Sequence, residues 1–166
     1  MPVSLLPKAI YRRLADLPLE ALYRQGVRLL MLDFDNTIVP YTTDQPTAEM
    51  AAWIQAAKAA GLQLCVVSNS KKPRVQQVCR RMEIPWQTNA KKPMAQGIRR
   101  CMERFGQPPQ ACALCGDQIF TDVLGANAAG VYSILVSSID NHNIWLKLRH
   151  LLELPVILIA KGRKAQ

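Results

Sequence analysis

The sequence predicts an α/β fold: a doubly wound, Rossmann-like parallel sheet of about five strands with helices on its faces. Three observations carry this. Apolar runs of strand length recur near residues 29–32, 62–67, 111–115 and 131–136. Stretches of helical pattern separate them, which is the alternation that builds parallel sheets. Polar and acidic residues stand at the carboxyl ends of successive runs, where ligands bind in open α/β sheets.

The central run is Leu29-Leu30-Met31-Leu32, which leads directly into Asp33-Phe34-Asp35-Asn36-Thr37. Four consecutive apolar residues read as a strand buried on both faces. The strand then ends where Asp33 begins, and Asn36 and Pro40 are suitable turn residues. An Asp-x-Asp-x-Thr in that position can do phosphoryl chemistry. Asp33 could attack phosphorus and become an aspartyl-phosphate. Asp35 could protonate the leaving oxygen and then deprotonate a water. Two close carboxylates repel, and oxygen ligands with phosphate chemistry point to Mg²⁺. Taken alone, the motif is equally compatible with a loop carrying two solvated acids.

Downstream, a helix is expected from Pro46 to Ala60, rich in alanine and stopped by Gly61. Leu62–Val67 is a second buried strand ending at Ser68-Asn69-Ser70. A hydroxyl and the backbone N–H groups after it could hold a phosphate oxygen there. Lys71-Lys72-Pro73-Arg74 opens the next helix, to about Met82, and reads as a basic helix start beside a phosphate site or, at least equally well, as a solvated surface. Ile84-Pro85-Trp86 is a short, weak strand. Lys91-Lys92-Pro93 then opens a helix reaching about Phe105, and a lysine before a helix-opening proline can be pointed at the crevice. Ala111–Cys115 is a strand that stops at Gly116-Asp117, with Asp122 five residues on. That spacing does not put two residues on one helix face, so a loop must join them, one as ligand and the other as its support. Residues 123–129 form a short helix and 131–136 the last clear strand. Asp33, Asp35, Thr37, Ser68, Asn69, Lys92, Asp117 and Asp122 are thus expected to meet in one crevice. Thr37, Ser68, Asn69 and Lys92 are the candidate phosphate contacts.

Composition narrows the function classes. The chain has 166 residues, 49% hydrophobic and 20% charged, which suits one globular domain. Its net charge of +9 calls for an anionic partner: a phosphorylated substrate, an anionic lipid surface or nucleic acid. Few, scattered aromatics provide no base-stacking platform, so nucleic acid is not expected. The five cysteines include Cys112-Ala113-Leu114-Cys115, whose C-x-x-C spacing could mean zinc or redox chemistry. No second such pair or histidine cluster accompanies it, and its setting is that of a buried strand, where cysteine acts as a small apolar residue. Free thiols in odd number fit a reducing cytoplasm. The start lacks a signal peptide's apolar segment, and no window reaches the roughly 18 apolar residues of a membrane span.

The organisation expected is a basic amphipathic leader (1–27), a catalytic core (28–139) and a C-terminal amphipathic, basic segment (140–166). In the leader, Leu5, Ile10, Leu14 and Leu17 could share a face of short helices broken at Pro7 and Pro18, with Lys8, Arg12, Arg13 and Arg24 opposite. In the tail, Ile144, Trp145, Leu148, Leu151 and Leu152 recur at helical spacing. Both segments could pack on the domain or rest peripherally on an anionic membrane, at its inner face.

These four strand ends, in this order, resemble the haloacid dehalogenase superfamily of phosphatases, over roughly residues 29–137. The resemblance implies Asp33 as nucleophile and Asp35 as general acid/base. It implies Ser68 as a phosphate ligand and Lys92 as a charge-stabilising lysine. At Mg²⁺ it implies the Asp33 side chain, the Asp35 carbonyl and Asp117, with Asp122 in support. Leu-Asp-Phe-Asp-Asn-Thr, Val-Ser-Asn-Ser, Ala-Lys-Lys-Pro and Gly-Asp-Gln-Ile-Phe-Thr-Asp-Val-Leu-Gly-Ala-Asn further resemble the YqeG branch of subclass IIIA. That branch is similar to the phosphatidylglycerophosphate phosphatases. The implied activity is dephosphorylation of phosphatidylglycerophosphate at a membrane surface in phospholipid biosynthesis. The alternatives are a soluble phosphatase for sugar, nucleotide or protein phosphates, and a catalytically silent binding module. The gaps from Thr37 to Ser68 and from Ser68 to Lys92 are too short for a cap domain, so the crevice is expected to be open.

Overall fold

A computed structural model describes residues 3–140 and 154–159. Six parallel strands form one sheet: β1 (Ala9–Tyr11), β2 (Leu29–Leu32), β3 (Gln63–Val67), β4 (Trp86–Gln87), β5 (Cys112–Gly116) and β6 (Tyr132–Val136), in the order β1-β6-β5-β2-β3-β4. The helices are α1 (Leu19–Arg24), α2 (Ala48–Ala59), α3 (Pro73–Arg81), α4 (Gln96–Phe105) and α5 (Leu124–Ala129). From β2 the chain moves outward to β3 and β4, then returns to β5 on the other side of β2. The strand order therefore reverses at β2, and the crevice beyond its end is the ligand position of such sheets.

Every residue of β2 is buried. Alternation sends them to two cores. Leu30 and Leu32 join Leu64, Val66, Ala113 and Ile134 beneath α2, α3 and the leader. Leu29 and Met31 join Cys65, Val67 and Leu114 beneath α4 and α5. Each buried Leu or Met contributes roughly 1.5–3 kcal/mol, so β2 is fixed from both sides. Register aligns the strand ends: Leu32 pairs with Val66 on one side and Cys115 on the other. Asp33, Ser68 and Asp117 consequently emerge at the same edge.

The helices follow local chemistry. Thr47 caps α2 by accepting a hydrogen bond from Met50 N at 3.1 Å. Pro73 takes the first turn of α3, where its missing N–H costs nothing. Gly106, at φ 63°, ends α4 in the left-handed conformation.

The structure corrects three expectations. The sheet has six strands rather than about five, because residues 9–11 of the leader form an edge strand paired with Ile134–Val136. A run of helices is therefore not what the leader forms; after β1 come a 3-10 turn, Leu14–Asp16, and α1 behind Pro18. Its apolar residues still pack inward, with Leu14, Leu17 and Leu22 buried. The weak strand expected at 84–86 is shifted to Trp86–Gln87. Of the tail, residues 154–159 are helical, and Val156 and Ile157 pack on Ile119, Val123 and Leu135. The helical spacing read at residues 144–152 lies outside the described residues.

Cys112 and Cys115 stand three apart in β5 and face opposite cores. Burial pushes the Cys112 thiol up to about 11 and Cys115 well above its ordinary value. All five cysteines are buried and free, and this pair packs as small apolar groups rather than a metal clip.

Candidate active site

Asp33 is placed by the end of β2, its N–H donating to Cys115 O at 2.9 Å. Its carboxylate is held on one side only. Lys92 Nζ donates to Asp33 Oδ1 at 2.6 Å and to Asp122 Oδ1 at 2.7 Å. Asp33 Oδ2 has no hydrogen bond among the described residues, and the Asp33 side chain keeps 12% exposure against 2% for Lys92.

Lys92 gets there through backbone geometry. Lys91 is left-handed at φ 58°, and the Lys92–Pro93 bond is cis. Asn69 then clamps Lys92 from both sides: its Oδ1 accepts from Lys92 N at 2.7 Å and its Nδ2 donates to Lys92 O at 2.9 Å. The loop after β3 is thereby stitched to the loop before α4, and Ala90 N donates to Ser68 O at 3.0 Å. Gly97 lets α4 lie on this loop; a Cβ there would come within 2.3 Å of Ala90 O.

Asp122 sits in a single π-type turn, Ile119–Val123, between β5 and α5. Its Oδ2 accepts from Gln118 N at 3.1 Å, so it closes its own turn while Oδ1 faces Lys92. Gly116 is required for this approach, since a Cβ would meet the Asp122 carboxyl at 2.3 Å. Asp117 accepts a hydrogen bond at Oδ2 from Ser138 Oγ at 2.6 Å, and its buried Oδ1 has no partner among the described residues.

Asp33, Asp117 and Asp122 bring carboxylate oxygens within 4.8 Å of one another, all three buried. One ammonium cannot balance three carboxylates. Burial, with the neighbouring acids, raises Asp33 to about 7 against the pull of Lys92. Burial and the charges of Asp33 and Asp122 raise Asp117 to about 8. Burial alone would lower Lys92, but Asp122 and Asp33 outweigh it and hold the ammonium charged. The excess negative charge and the orphaned Asp117 oxygen fit a divalent cation with oxygen ligands.

Asp35 lies at the start of the loop after β2, where Arg74 Nη1 donates to its Oδ1 at 2.5 Å. Thr37 and Ser68 are buried; Thr37 Oγ1 has no partner among the described residues, and Ser68 Oγ accepts from Ser70 N at 3.1 Å. The sequence alone left Arg74 open and did not mark Ser138 or Gly97 as parts of the site; Gly97, a small residue near a helix start, carried the clearer signal.

A model of the haloacid dehalogenase-like hydrolases matches residues 7–130, which takes in every strand except β6 and every residue of the site but Ser138. The chain belongs to this family. Within it, the chain is 30% identical over 131 residues to "Probable phosphatase YqeG" of Bacillus subtilis (strain 168), covering 79% of this chain and 76% of that one. Among solved structures, the fold is similar to the cobalt-bound deoxy-D-mannose-octulosonate 8-phosphate phosphatase of Haemophilus influenzae. The TM-score is 0.54 at 15% identity, covering 79% of this chain and 76% of that one. It is also similar to an uncharacterized protein of Listeria monocytogenes serotype 4b, with TM-score 0.55 at 14% identity, covering 76% and 99%. This haloacid dehalogenase-like hydrolase is a phosphatase, acts on a phosphorylated substrate, and carries a buried acidic cluster able to hold a divalent metal.

Proposed function

We propose that this phosphatase works through an aspartyl-phosphate on Asp33 and that its substrate is phosphatidylglycerophosphate. The observation that carries the mechanism is the one-sided restraint of Asp33, with Oδ1 on Lys92 and Oδ2 free. In the first step Asp33 Oδ2 attacks phosphorus, the bond from phosphorus to the leaving alcohol breaks, and protonated Asp35 gives its proton to that alcohol. In the second step Asp35 takes a proton from water as the water oxygen attacks phosphorus. The bond to Asp33 breaks, inorganic phosphate leaves and the carboxylate is restored. Lys92 keeps Asp33 oriented and offsets charge on the transferring group. Thr37, Ser68 and Asn69 complete the phosphate-facing wall, and the unpartnered Thr37 hydroxyl supports that role. Asp33, Asp117 and the Asp35 carbonyl would hold Mg²⁺, with Asp122 in support. The ion would draw charge from the phosphoryl oxygens.

Several features support a lipid substrate. A cavity of about 410 Å³ shares Thr37 and Ser138 with the site region, and is walled by Leu14, Ile38, Met50 and Trp53. Arg12 and Arg13 lie at this cavity as well. It suits an amphipathic leaving group with a second anion. No domain is inserted among the described elements between β2 and β5, which leaves the crevice open to a head group presented by a bilayer. No helix among the described residues is long and apolar enough to cross a membrane, so contact would be peripheral. The exposed basic side chains of the leader, Lys8, Arg12, Arg13 and Arg24, and the basic stretch 140–166 would supply it. The test is side-by-side turnover, with and without Mg²⁺, of phosphatidylglycerophosphate in mixed micelles and of soluble sugar, nucleotide and phosphopeptide substrates. Preference for the lipid is expected; preference for a soluble phosphate would replace it.

A further inference from the structure

The start of α3 breaks a local rule. Its first turn holds no acid, Lys72 makes no side-chain cap, and Lys71, Lys72 and Arg74 place three cations at the positive end of the helix. Lys71 and Lys72 are exposed to water. Arg74 instead turns onto the loop that follows β2. Nη1 donates to Asp35 Oδ1 at 2.5 Å, Nη2 to Pro40 O and Thr43 O at 2.6 Å each, and Nε to Asp44. The guanidinium also lies over the Phe34 ring, 5.1 Å from its centroid. Every one of these contacts falls within residues 34–44. Two acceptors are backbone carbonyls, which set the path of the loop, and one is the side chain of Asp35. A planar fork can serve these directions at once, whereas a lysine cannot.

We infer that Arg74 is a positioning residue for Asp35: it fixes Oδ1 and the loop behind it so that Oδ2 faces the leaving-group oxygen. Asp35 Oδ2 has no hydrogen bond among the described residues, and its side chain is 19% exposed, so the oxygen not held by Arg74 is available. The inference rests on the reading above that Asp35 carries the proton. Violation of helix electrostatics at α3 is then compensated at the site rather than within the helix.

The test uses the full chain with Mg²⁺ and two substrates, β-glycerophosphate, whose alkoxide leaving group needs a proton, and 2,4-dinitrophenyl phosphate, whose leaving group does not. Arg74→Ala, Arg74→Lys, Asp35→Asn and the double variant Asp35→Asn/Arg74→Ala are compared. We expect Arg74→Ala to lower the first-turnover rate of leaving-group release, which precedes the step in which Asp35 acts as base, about 100-fold on the alkyl phosphate and less than about 10-fold on the activated ester. KM should change little, and Arg74→Lys should recover little of the loss. The double variant should be no slower than Asp35→Asn, because the two residues act as one unit. Equal losses on both substrates, a KM effect alone, or multiplying losses in the double variant would overturn the inference. So would full rescue by lysine. If Asp35→Asn itself shows no dependence on leaving group, the proton role of Asp35 fails and Arg74 falls with it. If Asp35→Asn shows it and neither Arg74 variant does, the positioning role alone fails. Arg74→Lys serves as the readout if the alanine variant does not fold.

Discussion

Lys92 Nζ lies 2.6 Å from Asp33 Oδ1, joining two residues 59 positions apart in the sequence. The same ammonium reaches Asp122 at 2.7 Å. It is almost fully buried, so its charge is spent on the two carboxylates rather than on solvent. The bond links the loop before α4 to the end of β2, and the Asn69 clamp ties both to β3.

Removing that ammonium leaves two buried carboxylates without a cation. Breaking a buried pair in this way costs about 3–5 kcal/mol. Lys92→Gln should therefore lower the stability of the metal-free protein by about 3 kcal/mol or more, as well as abolishing turnover. Urea unfolding monitored by circular dichroism measures it. A loss below about 1 kcal/mol would show that the lysine is not balancing the cluster.

The cluster should bind a divalent cation even without substrate. Adding Mg²⁺ at about 100 times its dissociation constant stabilises by roughly 2.7 kcal/mol, which is visible as a rise in Tm. Asp117→Asn removes one of the three carboxylates. Its Tm should not respond to Mg²⁺, and a chelator should have no effect on it.

The raised values of Asp33, about 7, and Asp117, about 8, set a pH dependence. Both acids ordinarily titrate near pH 4. Between about pH 4 and 8 the metal-free folded protein binds more protons than the unfolded chain, so its stability falls as pH rises through that window. Below about pH 4 both states are protonated and the contribution is fully present. The fall should be shallower in Asp117→Asn than in the parent, in unfolding curves taken at several pH values. Mg²⁺ affinity should rise over about pH 6–8, since the ion displaces those protons.

Much of this site could be read from the chain because its parts sit at fixed places on a simple repeat. Leu29–Leu32 announces a strand buried on both faces, so Asp33 has to stand at a strand end. Ser68, Lys92 and Asp117 mark the ends or returns of neighbouring elements in the same way. What escaped was set by tertiary contact. Ala9–Tyr11 is only three residues long and becomes a strand because β6 offers it an edge. Arg74 stayed open between a helix start beside a phosphate site and a solvated surface, because its partners, Asp35 and Asp44, lie 39 and 30 residues earlier. Asn69 was read only as a phosphate contact, and the clamp its amide also makes on the backbone of Lys92 could not be read from the chain. Gly97 matters only through Ala90, which no local pattern brings near it.

Catalysis depends most on Asp33 as the group that accepts phosphorus. The direct measurement is turnover of an aryl phosphate by Asp33→Asn, with circular dichroism to confirm that it is folded. The amide keeps the shape of the carboxyl and removes its charge, so the fold should persist while turnover falls by about 10³-fold or more. A folded Asp33→Asn protein that hydrolyses the aryl phosphate at near the parent rate would contradict it.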